Sequence, residues 1–90
     1  MKILENAGYE KFCVDKQRLK RDGITIHSWS KDFDDDGNNN IIIDQHRKKG
    51  KATHYTVSFW FGNRKIEQDP KVTLDKEYLT DIKNLYISLK

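Results

Sequence analysis

Residues 53–61 read THYTVSFWF and alternate between two kinds of side chain from His54 onward. Every second residue is bulky and apolar, at Tyr55, Val57, Phe59 and Phe61. The residues between them are polar or amphipathic, at His54, Thr56, Ser58 and Trp60. Because successive side chains of a strand point to opposite faces, this stretch predicts a β-strand with one face in the core.

A tight hairpin turn follows this strand at Gly62-Asn63, a pair that suits a two-residue loop. Such a loop pairs Phe59 with Ile66 and keeps both on the core face, so the turn and the pattern agree. It also places Lys65 across from Trp60, within reach of a cation–π contact.

Two further strands are predicted upstream, over residues 24–30 and 41–47. In the first, Ile24 and Ile26 occupy one face, and the other face holds Thr25, His27 and Trp29. We assign this second face to the polar side of the sheet, together with His54 and Trp60. His46 is a further candidate for that side.

The N-terminal third allows two interpretations. Asp22-Gly23 is typical of a two-residue hairpin turn, which would place Leu19 opposite Ile26. Residues 9–21 could equally form a helix with Gly23 at its C-terminal cap. Strand and helix therefore both stand as alternatives for residues 9–21, and the hairpin is slightly favoured. Before this segment, the apolar residues ahead of Gly8 indicate a short N-terminal helix.

A C-terminal helix is predicted after Pro70, with Thr73 as its N-cap. Apolar residues recur there at helical spacing, at Leu74, Tyr78, Leu79, Ile82, Leu85, Tyr86 and Leu89. The sequence thus predicts one α+β domain over residues 1–90. It comprises an antiparallel meander of three to five strands packed against the C-terminal helix, with a short N-terminal helix as an optional addition.

Composition narrows the class of protein. The 90 residues are 36% hydrophobic and 34% charged, and two Trp, four Phe and four Tyr supply bulky core material. No segment is apolar enough for a membrane span or a signal peptide, so we expect no membrane partner and a cytoplasmic location. Cys13 is the single cysteine, which excludes an intramolecular disulfide and a cysteine-based zinc site.

The charge is distributed unevenly. The formal net charge is only +3, but basic residues cluster at 16–21 and 46–51, and aspartates cluster at 32–36. In an antiparallel meander alternate turns lie at opposite ends of the sheet. We therefore expect the turns near 22–23 and 48–52 at a basic end, and the loop 31–40 with the turn at 62–63 at the other end.

The acidic segment 32–37 reads DFDDDG, the D-x-D-x-D-G opening of a calcium loop. It resembles the EF-hand loop, although Ile43 stands where a bidentate acidic ligand is expected. It is more similar to the hairpin calcium loop of integrin-type β-propeller repeats, in which Asn40 would replace the last aspartate. The resemblance implies a weak site, with a Kd of about 10⁻⁴–10⁻³ M. Its ligands would be Asp32, Asp34, Asp36 and Asn40. A plain acidic turn is the favoured alternative.

The leading functional prediction is a non-enzymatic module that binds RNA or DNA with low sequence specificity. The basic clusters would hold phosphates and the aromatic rings would stack on bases. The predicted binding residues are Lys16, Arg18, Lys20, Arg21, His27, Trp29, Arg47, Lys48, Lys49, Lys51, His54 and Trp60. From Gly50 onward the layout is similar to the strand–strand–helix half of double-stranded-RNA-binding domains, and to three-stranded DNA-binding domains of the integrase and AP2 type. That first family opens its last helix with a lysine cluster, whereas residues 74–77 here read LDKE.

Two alternatives stay open. One is a small regulator of the phage or mobile-element kind that binds a host protein, with the aspartates of loop 32–36 imitating phosphate charge. The other is a small ribonuclease that uses strand histidines as general acid and base. No catalytic triad and no phosphate-binding glycine-rich loop is evident, so no catalytic residue is assigned. The sequence implies no cofactor other than weakly bound calcium and does not predict the oligomeric state.

Overall fold

A five-stranded antiparallel sheet in the order β1-β2-β3-β4-β5 is the centre of the computed structural model, which describes residues 1–90. The strands are β1 Glu10–Asp15, β2 Ile24–Asp32, β3 Asn39–Lys48, β4 Lys51–Phe61 and β5 Arg64–Glu67. The helices are α1 Lys2–Asn6, α2 Leu19–Asp22 and α3 Lys76–Leu89, none of them long and apolar enough to cross a membrane. The predicted α+β meander with N- and C-terminal helices is confirmed.

The hairpin of β4 and β5 has the predicted register. Phe59 pairs with Ile66 and Trp60 with Lys65, and Gly62 takes the positive φ of 65° that the turn requires. Pattern and turn chemistry each specify the same pairing, so this part of the sheet follows from the sequence alone.

The core lies on one face of the sheet, beneath α1 and α3. From β3 and β4 it takes Ile41, Ile43, Val57 and Phe59, each at most 1% exposed. Tyr86 of α3 packs edge-on against Phe59 and donates its hydroxyl to the Trp60 carbonyl at 2.8 Å. This tyrosine therefore fixes both the distance and the position of α3 over β4.

Helix α3 begins two residues later than predicted. Asp75, not Thr73, is the N-cap, and its carboxylate accepts a hydrogen bond from the Tyr78 amide at 2.7 Å. Threonine and aspartate are both good N-caps, and Asp75 is the residue that directly precedes the first helical residue, Lys76. The buried stripe is also narrower than predicted, because Leu85 and Leu89 are 43% and 47% exposed.

Residues 9–21 contain elements of both alternatives. They form strand β1, then a turn in which Asp15 accepts from the Gln17 amide at 2.9 Å, then the single helical turn α2 with Gly23 as a left-handed cap. The favoured two-residue hairpin at Asp22-Gly23 is wrong, since Asp15 rather than Leu19 pairs with Ile26. An Arg18–Asp22 ion pair one turn apart, at 2.8 Å, supports the helical turn that replaces it.

The assignment of His27 and Trp29 to the polar side is also wrong. Trp29 pairs with Ile43, which pairs with Val57, so the indole lies on the core face and is only 4% exposed. His27 lies on the same face as Trp29, two residues earlier in β2. The run Ile41–Ile43 is apolar on both faces of β3, and this is why the sequence did not show which face of β2 belongs to the core.

Candidate nucleic-acid interface

The β1–β2 and β3–β4 connections meet at one end of the sheet, as predicted from the alternation of turns in a meander. The Lys49 amide donates to the Gly23 carbonyl at 3.0 Å, which joins the β3–β4 turn to the cap of α2. Lys48 and Lys51 face each other across that turn. We use the name basic end for residues 15–23 and 47–51.

The basic end concentrates the positive charge of the molecule. It holds eight lysines and arginines and two aspartates, a net charge of +6, so the rest of the chain sums to −3. Arg18 and Arg21 share Asp22, at 2.8 and 3.4 Å, and the other six cations have no carboxylate within 4 Å. Arg47 donates to the Gly50 carbonyl at 2.6 Å and so secures the turn. The structure thus presents a dense and largely unpaired cationic surface.

The sheet face turned away from α1 and α3, which we name the open face, adjoins the basic end. It carries Ile26, Ser28, Ser30, Ile42, Asp44, His46, His54, Thr56, Ser58 and Trp60, most of them half-buried. Polar contacts connect several of these side chains. Ser28 donates to Asp44 at 2.6 Å, and the Trp60 indole donates to Ser58 at 3.2 Å.

Two histidines stack where the open face meets the basic end. The rings of His46 and His54 lie 4.2 Å apart and within 11° of parallel. The His46 Nε2 atom is 3.0 Å from the Thr56 hydroxyl. Desolvation, then the neighbouring His54 and Arg18, hold the pKa of His46 below its ordinary value, although Asp44 opposes them. At neutral pH the His46 ring is therefore mainly uncharged, and the stacked pair presents an aromatic surface beside a cationic one.

The predicted binding residues separate into three places. The basic residues from Lys16 to Arg21 and from Arg47 to Lys51 all lie at the basic end, and His54 adjoins them. Trp60 lies on the open face six residues farther along β4, roughly 20 Å away, with Lys65 5.6 Å from its ring. His27 and Trp29 lie on the opposite face.

His46 was missing from the predicted set although it stacks on His54. The sequence offered it only as a candidate for the polar side of the sheet. Its pairing with His54 depends on a β-bulge between His46 and Arg47, which the sequence does not show.

The stacked rings also bear on the ribonuclease alternative. A separation of 4.2 Å leaves no room for a phosphate between His46 and His54, and His27 is on the other face.

The acidic loop 32–40 uses its polar groups internally. Asp34 accepts from the Asn38 amide at 3.1 Å and from the Asn39 side chain at 2.5 Å, and the Asn40 side chain donates to the Gly37 carbonyl at 2.9 Å. Desolvation raises the pKa of Asp34, but the hydrogen bonds from Asn39, Asn38 and Gly37 together outweigh it, so the pKa is lowered. Nowhere in the chain do three acidic, histidine or cysteine side chains group as a metal site would require, so Asp32, Asp34 and Asp36 are not brought together.

The chain matches no protein-family model, no curated protein and no solved structure. The fold and the surface therefore define only the class of protein: a small α+β domain with an open sheet face and a strongly basic end.

Proposed function

We propose that this chain is a non-enzymatic nucleic-acid-binding module of the cytoplasm, and that its basic end holds the phosphate backbone of RNA or DNA. The observation that carries the proposal is the net charge of +6 on two adjacent connections, with six of the eight cations free of any carboxylate. Lysines that neutralise phosphates release condensed counterions, which favours binding without regard to sequence.

The open face would contribute a smaller part of the binding energy, through contacts with the bases. The His46–His54 pair adjoins the cations and offers an aromatic surface to an unstacked base. Trp60 lies roughly 20 Å away, so only an extended single strand several nucleotides long would reach both places. Phosphate contacts carry no sequence information, and we therefore propose low sequence specificity.

The proposal is tested by fluorescence-anisotropy titration of single- and double-stranded oligonucleotides at two salt concentrations. We expect binding whose affinity falls steeply with salt, because several phosphates are neutralised together. Absence of any affinity tighter than ~10⁻⁴ M at low salt would contradict the proposal, since that is the weak limit of ordinary non-specific binding.

A charge-removal variant locates the surface. Lys48→Gln, Lys49→Gly and Lys51→Gln together remove three charges and leave the Arg47 bond to Gly50 in place. Glycine suits position 49, where φ is 51°, so the turn should be preserved. The matched control removes three exposed lysines elsewhere, at Lys2, Lys71 and Lys90. We expect at least a tenfold loss and a shallower salt dependence in the first variant only; equal losses in both would contradict a localised site.

A second candidate function has one observation in its favour. The acidic loop is held in a defined shape by the Asp34 bonds and by the Gly62 amide, which donates to the Asn38 carbonyl at 2.8 Å, while Asp35 and Asp36 remain exposed. A preformed acidic tip suits a regulator that docks on a basic, nucleic-acid-binding host protein. Affinity capture from lysate with and without nuclease distinguishes the two functions, since only a protein partner persists after nuclease treatment.

A further inference from the structure

A cleft of about 580 Å³ opens between α1 and α3, on the covered side of the sheet. Its lining includes apolar side chains, at Ile3, Ala7 and Leu79, and three lysines, Lys31, Lys76 and Lys83. This volume is within the usual range of small-molecule sites. Lys31 lies toward the end of β2 that is remote from the basic end, so the cleft is separate from the interface proposed above.

The three lysines have no anionic partners in the protein. None has a carboxylate within 4 Å. Desolvation, then the like charge of Lys83, lowers the pKa of Lys31, so repulsion between the two ammonium groups acts in the same direction as burial. An anion between them would relieve this repulsion.

Lys31 is held in place for such a contact. Its Nζ donates to the Ala7 carbonyl at 2.8 Å and lies 6.0 Å from the centre of the Tyr9 ring. An ammonium group has three donors, so two remain. Gly8 lies beside this ammonium group, and its φ of +90° favours glycine.

We propose that this cleft binds a small organic oxyanion with a short apolar body. The ammonium groups of Lys31, Lys76 and Lys83 would bind the carboxylate or phosphate, and the apolar lining residues would contact the body of the ligand. The proposal stands independently of nucleic-acid binding, because it uses other residues on another face.

The test is an NMR titration of the ¹⁵N-labelled chain at constant ionic strength. The probes are phenyl phosphate, benzoate and inorganic phosphate, with benzyl alcohol as the neutral match. We expect saturable shifts at the amides of Ala7, Thr80 and Lys83 for the aromatic anions, with a Kd of about 1 mM or tighter. The ranking of phenyl phosphate against benzoate shows which oxyanion is preferred. Three results would overturn the proposal: no saturation by ~20 mM, shifts confined to the basic end, or equal binding of benzyl alcohol.

A paired variant tests the lysines without disturbing the core. Lys76 and Lys83 are exposed on α3, so Lys76→Gln with Lys83→Gln should fold as the parent does. We expect phenyl phosphate to bind at least about tenfold more weakly, because charge-assisted hydrogen bonds are lost. Lys2→Gln with Lys90→Gln is the control of equal charge and should bind as the parent does. The same loss in both variants would mean general charge attraction and would overturn the site.

Discussion

Among single residues, His46 makes the stability of the protein depend on pH, because its pKa differs between the folded and the unfolded chain. Its ring is half-buried, it stacks on His54, and its pKa is lowered by desolvation and by nearby positive groups. His27, on the other face, also has a lowered pKa, through desolvation and then Lys11, Arg47 and Lys16. For both residues the unfolded chain binds the proton more tightly than the folded chain does.

This difference predicts a pH dependence of stability. The contribution of each histidine is fully present above the ordinary pKa of 6.5 and is lost as the pH falls through that value toward the lower folded pKa. We expect each contribution to be small, because solvent screens groups that are only partly buried. Urea denaturation between pH 7.5 and 5.5 measures how the free energy of unfolding changes with pH. His46→Gln should make that change smaller. The same pH dependence of the free energy of unfolding in that variant would show that His46 does not contribute to it.

The lowered pKa of Asp34 predicts a separate loss of stability at lower pH. Its pKa is below the ordinary 3.8, so the stability that its hydrogen bonds supply is present above that value and is lost as the pH falls through the folded pKa. The histidine window begins near pH 6.5 and the aspartate window near pH 3.8.

At the scale of elements, the sequence predicted most where two signals agreed. The β4–β5 hairpin followed from alternation and turn chemistry together, and its register is confirmed. The face of β2 could not be predicted, because Ile41–Ile43 of β3 is apolar on both sides and any register satisfies it. The His46–His54 contact escaped prediction for a related reason, since it depends on a bulge that the pattern does not show.

The N-terminus of α3 supplies a prediction about one element. Asp75→Ala should lower the free energy of unfolding by about 1 kcal/mol, because the Tyr78 amide loses its acceptor and the helix dipole loses a compensating charge. Thr73→Ala, two residues earlier and outside the helix, should change it by less than about 0.5 kcal/mol. Chemical denaturation measures both, and the reverse order would place the cap at Thr73.

The acidic loop supplies a second prediction at this scale. Asp34 already accepts from Asn38 and Asn39, and its neighbours do not group around a common point. We therefore expect calcium to leave the melting temperature unchanged even above the ~10⁻³ M at which a weak site would fill. A clear rise, abolished by Asp34→Asn, would show that the loop rearranges into the weak calcium site that its sequence resembles.

For the whole molecule, charge separation along the sheet is the feature that relates the sequence to the proposed function. The meander places the turns of Gly23 and Lys49 side by side at one end, and those of Asn38 and Gly62 at the other. That layout was predictable, because alternate turns of an antiparallel meander must share an end. The cleft between α1 and α3 was not, since it depends on how two helices far apart in sequence pack together.

The central claim is that nucleic acid binds at the basic end. The most direct measurement is a titration of the ¹⁵N-labelled chain with a short single-stranded oligonucleotide, followed by amide and histidine-ring shifts. We predict that the shifts concentrate in residues 16–23 and 47–51 and in the rings of His46 and His54, and that they vanish at high salt. Shifts centred on the acidic loop 32–38, or no shifts at all, would contradict it.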